Sequence, residues 1–275
     1  MKKILVPIDF SKQALRAIKA AAKIARETGS EVYLLHMIDL PSDENDIEAH
    51  ADASNPAKLL FLKKVHEKFR ELKRSKLLEG IVIHEEVRFH KTFTGIIGYS
   101  KELNIDLIVM GSHGSTGMKE IFIGSNTERV VRHSDVPVLV VKEEMETAGF
   151  SKFVFASDFS KDVKPAFGRF LAFIKTFDAS VELLFVNTIR NFEPTKKTSE
   201  RLLNFVSEFD MPEHTLSIYN DKSIEKGILN YSQDVDADVI ALVTHQRSGL
   251  ASMLNESISE DLVNHAFIPV ITFNV

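Results

Sequence analysis

The chain has 275 residues and a formal net charge of −5, with 44% hydrophobic and 27% charged residues and no cysteine. This length exceeds the usual size of one domain, so the sequence predicts two domains of roughly 100–150 residues each. The negative balance argues against a general nucleic-acid binder, which needs positive charge, and the lack of cysteine excludes disulfides, thiolate metal sites and cysteine nucleophiles.

The first residues predict a strand and not a secretory signal. Lys2 and Lys3 precede a short apolar run, and Asp9 ends that run well before it reaches the length of a signal core. No apolar stretch of the sequence approaches the ~20 residues that cross a membrane. We therefore expect a cytoplasmic protein without a membrane contact, and the absence of cysteine fits a reducing compartment.

Apolar runs alternate with amphipathic patterns along the first half of the chain. The predicted elements are a strand at 4–8, a helix after Ser11, a strand at 31–37, a helix at 57–77, a strand at 81–88, a helix at 94–103, a strand at 106–110, a helix after Gly124 and a strand at 136–142. Nearly continuous apolar strands between helices indicate a parallel sheet covered on both faces. The sequence thus predicts a doubly wound α/β fold.

The second half repeats the first. Residues 4–11 and 153–160 both end in Asp-Phe-Ser, at an offset of 149 positions. The apolar runs at 135–141 and 267–273 match at an offset of 132, so the second copy lacks 17 residues. The missing residues fall in the polar stretch around 41–57.

This repeat defines the expected domain organisation. We predict two tandem doubly wound parallel five-stranded sheets, in domains at 1–142 and 152–275 joined by a linker at 143–151. In each copy a serine, Ser11 or Ser160, is placed to cap the helix that follows the first strand.

One loop of the first half carries a phosphate-binding pattern. After the fourth predicted strand the sequence has Gly111, Gly114 three residues on, nine further residues, and then Gly124, Ser125 and Asn126 at the start of a helix. Ligands of open parallel sheets bind beyond the carboxyl ends of the strands. Glycines let backbone N–H groups approach an anion, and a helix N-terminus supplies unpaired donors. A flexible turn is the alternative for any single glycine, but the spacing of the set favours a phosphate site.

These motifs resemble the universal stress protein family in its tandem, two-domain form. The spacing Gly-x2-Gly-x9-Gly-Ser, the opening Pro-Ile-Asp-Phe-Ser, the strand end at 35–39 and the run Val-Pro-Val-Leu-Val-Val at 136–141 all look like that family. The resemblance covers nearly the full chain, twice. It implies a Rossmann-like fold, a stress-response role and an adenine-nucleotide site.

The resemblance also assigns residues to that site. It implies that Asp9 and the backbone of Met37 contact the adenine, and that Gly111 and Gly114 lie against the ribose and phosphates. The phosphate tail would be held by Gly124, Ser125 and Asn126. Family members that bind ATP often have a basic residue just after the second glycine, where this chain has Ser115 and Thr116. The expected ligand is therefore ATP or another adenine nucleotide.

The second half departs from the nucleotide pattern. Val243, Gln246 and Glu256 align with Gly111, Gly114 and Gly124 at the offset of 132. We interpret the second domain as a structural partner that replaces the other subunit of a family dimer, with the last strands at 136–142 and 268–274 paired. The alternatives are that Asp158 still holds an adenine-like group, or that a different ligand binds there.

Other candidate groups carry weaker signals. Two histidine pairs occupy equivalent repeat positions without metal-ligand spacing, and for them we favour turn-packing and helix-end roles: His113 with His245, and His133 with His265. An acidic stretch could hold Mg²⁺, although a solvated loop is the favoured interpretation: Asp39, Asp43, Glu44 and Asp46. Neither a Walker lysine motif nor a Gly-x-Ser-x-Gly elbow is present.

The sequence therefore predicts a nucleotide-binding regulatory protein in preference to an efficient catalyst. A slow ATPase or phosphate-transferring enzyme on the same loop is the alternative, although no general base or arginine finger can be named. A nucleotide-free scaffold is the third possibility. A homodimer and an unidentified protein partner are also open.

Overall fold

The fold is described from a computed structural model of the chain. It describes residues 1–39, 56–112, 124–142, 149–244 and 262–275. In these ranges no helix is both long enough and apolar enough to span a bilayer.

The first half alternates strands and helices as the sequence predicts, with ends shifted by a few residues. Its elements are β1 (Lys3–Pro7), α1 (Lys12–Thr28), β2 (Glu31–Ile38), α2 (Pro56–Arg74), β3 (Ile83–Phe89), α3 (Thr92–Glu102), β4 (Leu107–Gly111), α4 (Ser125–His133) and β5 (Val138–Val141). A 3-10 turn at Lys76–Leu78 follows α2.

The second half repeats this order with one change at its first helix. Its elements are β6 (Lys152–Ala156), α5 (Lys164–Ile174), β7 (Ser180–Asn187), α6 (Thr195–Val206), β8 (His214–Asn220), α7 (Ile224–Asp234), β9 (Val239–Thr244) and β10 (Val270–Asn274). Residues 262–265 are also helical.

The prediction that Ser160 caps the first helix of the second half is wrong. Ser11 accepts a hydrogen bond from the backbone N–H of Ala14 at 3.1 Å and so caps α1. Ser160 instead precedes a 3-10 turn at Lys161–Val163, makes no side-chain capping bond, and α5 begins only at Lys164. The two halves therefore share the Asp-Phe-Ser motif, but the helix that follows it begins differently in each.

All ten strands form one sheet. Their order is β3-β2-β1-β4-β5-β10-β9-β6-β7-β8, so each half contributes five neighbouring strands. Every pair is parallel except β5 with β10, which run antiparallel with Val140 opposite Val270. The doubly wound α/β class is confirmed, and the last strands of the halves pair as expected.

Both faces of the sheet are buried, which explains the continuous apolar strands. Alternate residues of β1 point to opposite faces, so Ile4 and Val6 join one core cluster and Leu5 joins the other. The first cluster contains α1, α2, α5 and α6, and the second contains α3, α4 and α7. This layering leaves the carboxyl ends of the strands as the open edge of each half.

Candidate functional site

A cavity of about 420 Å³ opens at the carboxyl ends of β1, β2 and β4. This volume lies within the range of sites for small ligands. Six of the seven predicted site residues line it: Asp9, Met37, Gly111, Gly124, Ser125 and Asn126. The seventh, Gly114, lies outside the described residues.

The N-terminus of α4 forms the polar wall of the cavity. Gly124 is the N-cap residue, and its own N–H donates to the carbonyl of Ser112 at 2.8 Å. Ser125, Asn126 and Thr127 form the first turn, where backbone N–H groups have no partner inside a helix. Gly124 has no side chain to accept from these donors, and Ser125 lies inside the helix and does not cap it. The turn is therefore arranged to bind an anion.

Gly111 allows the close approach of α1 to β4. A Cβ atom at this position would lie 2.8 Å from the carbonyl carbon and oxygen of Gln13, which is shorter than real contacts of a Cβ. The carbonyl of Gly111 also accepts a hydrogen bond from the Thr127 hydroxyl at 3.1 Å. The glycine thus joins the start of α1, the end of β4 and the start of α4 around one cavity.

Asp9 shapes the turn between β1 and α1. Its Oδ1 accepts a hydrogen bond from the N–H of Ser11 at 2.9 Å, and Phe10 between them has a left-handed φ of 63°. Asp158 and Phe159 repeat this arrangement, with a distance of 3.0 Å to Ser160 and a φ of 54°. One carboxylate oxygen of each aspartate therefore has a structural task, whether or not the aspartate meets a ligand.

Asp39 lines the cavity and caps a helix, a role that the acidic stretch in the sequence did not suggest. Its Oδ1 accepts from both the N–H and the hydroxyl of Thr92, at 2.7 Å each, and so caps α3, whose own N-cap residue Lys91 makes no side-chain bond. The other residues of the acidic stretch, 43, 44 and 46, lie outside the described residues. Within the described part of the chain no cluster of His, Asp and Glu is suited to hold a metal ion.

Sequence reasoning missed several residues of the cavity. His36 lines it, and its Nδ1 lies 2.8 Å from the carbonyl of Ile8 at the end of the neighbouring strand. The other lining residues are Pro7, Ile8, Ala14, Leu35, Thr92, Ile96, Met110 and Thr127. Their position at strand ends and first helical turns was the available signal, since these segments meet at one edge of a parallel sheet.

The described lining combines apolar surface with hydrogen-bond donors. Leu35, Met37, Ile96 and Met110 offer apolar surface for a ring, and the first turn of α4 offers N–H donors for phosphate. No lysine or arginine lines the described part of the cavity. Backbone donors and the helix dipole would therefore hold the phosphate there.

At the equivalent place in the second half, the described residues leave little space. A space of only about 10 Å³ remains beside Ala156, Asp158, Val186, Ile224 and Ile228. Val243, which aligns with Gly111, is buried. The aligned residues 246 and 256 lie outside the described part of the chain.

Of the four paired histidines, the two that the structure describes, His133 and His265, lie at helix ends. Nδ1 of His133 is 2.9 Å from the carbonyl of Arg129, and the ring lies edge-on to Phe93 at 5.3 Å. Nδ1 of His265 is 2.6 Å from a carboxylate oxygen of Glu225. His113 and His245 lie outside the described residues.

The mostly parallel sheet with helices on both faces defines a Rossmann-like α/β protein, and comparison with known proteins identifies the family. A sequence model of the universal stress protein family matches residues 1–142 and 215–274. The chain belongs to the universal stress protein family, and the predicted resemblance is confirmed.

Individual relatives agree with this assignment. Universal stress protein MJ0531 of Methanocaldococcus jannaschii is 34% identical over 142 residues, which cover 52% of this chain and 82% of the relative. Universal stress protein MJ0577 of the same organism is 33% identical over 159 residues, which cover 52% of this chain and 96% of the relative.

The whole chain also has a structural counterpart. The crystal structure of a universal stress protein from Archaeoglobus fulgidus matches with a TM-score of 0.77 at 23% identity, over 99% of this chain and 98% of that one. At this identity the likeness concerns the fold. It includes both halves, in keeping with a tandem arrangement.

Proposed function

We propose that the chain is a regulatory protein that binds ATP or another adenine nucleotide in its first half. The observation that carries this proposal is the convergence of six motif residues on one cavity at the carboxyl edge of the sheet. Family membership makes the stress response its context. We further propose that residues 1–142 and 152–275 are its two domains, and that the second acts as the partner of the first.

The chemistry of the cavity supports a nucleotide with phosphate groups. The base would lie between the apolar residues at the ends of β2 and β4, next to Met37 and Met110. Phosphate oxygens would accept hydrogen bonds from the first turn of α4, where a negative charge gains about 0.3–1 kcal/mol from the helix dipole. Asp9 would meet the base through the oxygen that does not shape the turn.

The decisive variant is Gly124→Glu. The backbone of Gly124 is extended, with φ −61° and ψ 139°, a conformation that residues with a side chain adopt readily. A carboxylate at the N-cap also suits the helix dipole, so the fold should persist. Two unit charges ~4 Å apart in a partly desolvated site repel by about 4 kcal/mol, so we expect nucleotide affinity to fall by about 100-fold or more.

The matched control is Gly98→Glu, which makes the same change of charge on an exposed position of α3. A Cβ atom there meets nothing within 4 Å, and Gly98 does not line the cavity. Nucleotide affinity should equal that of the unaltered protein. Isothermal titration calorimetry with ATP, ADP and AMP, with and without Mg²⁺, measures the nucleotide affinity of both variants.

The bound species is read by denaturing the purified protein and chromatographing the released small molecules. About one ATP per chain supports a single site that acts as a switch. Release of ADP, together with phosphate production from added ATP, would favour the slow ATPase. Absence of any nucleotide, with no binding in titration, would reject the proposed ligand and leave the scaffold.

A further inference from the structure

The two outer strands of the sheet differ in charge. β3 and β8 stand at the ends of the strand order, so each has one neighbouring strand in the described part of the chain. β3 carries three charged residues, Glu85, Glu86 and Arg88, whereas β8 contains no Asp, Glu, Lys or Arg. Charged side chains on an outer strand discourage pairing with another chain. The outer strand of the second half is without this protection.

The backbone of β8 directs a row of donors and acceptors away from the sheet. Val181 of β7 donates to the carbonyl of Glu213 at 3.0 Å. Beyond the other end of β8, Asp221 donates to the carbonyl of Asn187 at 3.1 Å. Backbone groups of a strand alternate in direction, so the odd-numbered residues of β8 bond to β7 and the even-numbered ones point outward. The outward residues, whose N–H and C=O groups a further strand would meet, are His214, Leu216, Ile218 and Asn220.

We propose that β8 pairs with β8 of a second copy of the chain, antiparallel and about a two-fold axis at Ser217. In this register Leu216 lies opposite Ile218 of the second copy, and His214 lies opposite Asn220. Each of these pairs exchanges two main-chain hydrogen bonds, so the two strands form about eight such bonds. The interface uses the same patch of both copies and is therefore closed.

The side chains of β8 suit a second copy as the partner. Thr215 lies opposite Tyr219 of that copy, and β-branched residues stabilise a sheet when they face aromatic ones. Ser217 faces its own counterpart without a charge. The same operation on β3 sets Glu86 opposite a second Glu86, and like charges directly opposite each other destabilise a sheet. Self-pairing is therefore favoured at β8 and opposed at β3.

The proposed junction continues an arrangement that the sheet already has. β5 and β10 join the two halves as an antiparallel pair, while the strands within each half are parallel. Pairing of β8 with its counterpart would continue one sheet through both copies by a second antiparallel junction. No residue of β8 lines the nucleotide cavity, so the pairing does not depend on the proposed ligand.

The first test is the mass of the unaltered chain in solution. Sedimentation equilibrium from about 1 to 500 µM should show monomers at the low end and reversible dimers above about 100 µM, since one pair of strands forms a small interface. A chain that stays monomeric at about 500 µM overturns the proposal, and the outward groups of β8 would then be left for an extended peptide of another protein.

An introduced cysteine tests the register, because the chain has no cysteine of its own. In the proposed pair the two Ser217 Cα atoms lie about 4.5 Å apart, a distance that a disulfide spans. Ser217→Cys should therefore give a covalent dimer under mild oxidation. Thr215→Cys is the matched control, because its two thiols would be about 13 Å apart along the strands, and it should cross-link at least about tenfold more slowly. Equal rates, or a dimer that does not cross-link at position 217, would place the interface elsewhere.

A further variant should tighten the dimer, which a damaged fold would not do. In the proposed register the exposed Glu213 lies opposite Asp221 of the second copy, so like charges meet at both ends of the pair. Glu213→Lys makes both contacts attractive and should strengthen dimerisation about tenfold.

The control for that variant is Glu79→Lys, which makes the same change of charge at an exposed position of the first half. Its dimerisation constant should stay within about twofold of that of the unaltered chain. Equal tightening in the two variants would trace the effect to net charge and contradict the pairing of Glu213 with Asp221.

Discussion

The carboxyl ends of the strands differ between two halves that share one strand order. The first half has a cavity of about 420 Å³ there, and the described residues of the second half leave about 10 Å³. Thr92 of the first half becomes Ile224 in the second, His36 becomes Phe185, and Gly111 becomes Val243. The difference in cavity size therefore coincides with changes at two strand ends and one helix start, while the order of the strands stays the same.

The first helices of the two halves differ in the size of the side chains that face the sheet. Ala21 of α1 corresponds to Phe170 of α5, and Ile24 corresponds to Phe173. Small side chains let α1 approach β4 closely, which the glycine at 111 permits. In the second half larger side chains fill the space, and a 3-10 turn at Lys161–Val163 precedes the helix. The half whose first helix carries small side chains is thus the half with the large cavity.

The largest effect should come from removing one of these aromatic side chains. Phe170 is fully buried, and its ring centroid lies 4.8 Å from that of Phe155 and 5.8 Å from that of Phe273. Phe170→Ala should lower the free energy of unfolding by about 3–5 kcal/mol, because it leaves a cavity that the first half avoids by closer packing. Urea denaturation measures this loss.

The matched control for that variant is Phe192→Ala. Phe192 is 72% exposed, so its truncation should change stability by about 0.5 kcal/mol or less. Equal losses in the two variants would mean that α5 does not depend on its aromatic core. Both variants should keep the nucleotide affinity of the unaltered protein.

The next prediction concerns Lys142, at the junction between the halves. Lys142, directly after β5, is buried, and its Nζ donates to the carbonyl of Asn264 in the other half at 2.8 Å. Burial lowers the pKa of Lys142 to about 8. The unfolded chain keeps this proton up to about pH 10.4, so between these values it binds more protons than the folded protein. The contribution of Lys142 to stability therefore rises with pH across this window.

Lys142→Met removes the titrating group. The difference in unfolding free energy between the original protein and this variant should shift in favour of the original by up to about 3 kcal/mol between pH 7 and pH 10.5. Denaturant titrations at several pH values give this difference. A difference that stays constant over the window would show that the buried amine does not titrate there.

Sequence reasoning succeeded where structure follows from periodicity and strand direction. Residues as far apart as Asp9 and Gly124 meet at one cavity because parallel strands end at a common edge, which a sequence can reveal. Asp39 as the cap of α3 could not be predicted, since the bond to Thr92 joins residues 53 positions apart. The start of α5 was predicted wrongly because a local Asp-Phe-Ser motif does not report how closely the following helix packs on the sheet.

A smaller effect tests the close approach at Gly111. Gly111→Ala places a Cβ against the backbone of Gln13, which cannot rotate away as a side chain would. We expect a loss of about 1–3 kcal/mol in unfolding free energy and weaker nucleotide binding. Gly98→Ala, within α3 and free of neighbours, should instead gain about 0.5–1 kcal/mol. A gain at both positions would contradict the packing of α1 on β4.

The smallest effect separates the two Asp-Phe-Ser motifs. Ser11→Ala removes a side-chain bond to the N–H of Ala14 and should cost about 1 kcal/mol of unfolding free energy. Ser160→Ala should cost close to nothing, because Ser160 makes no capping bond, while its N–H still donates to Asp158 in the variant. Urea denaturation of both variants distinguishes them. Equal costs would mean that Ser160 caps a helix in solution after all, and that the two halves begin alike.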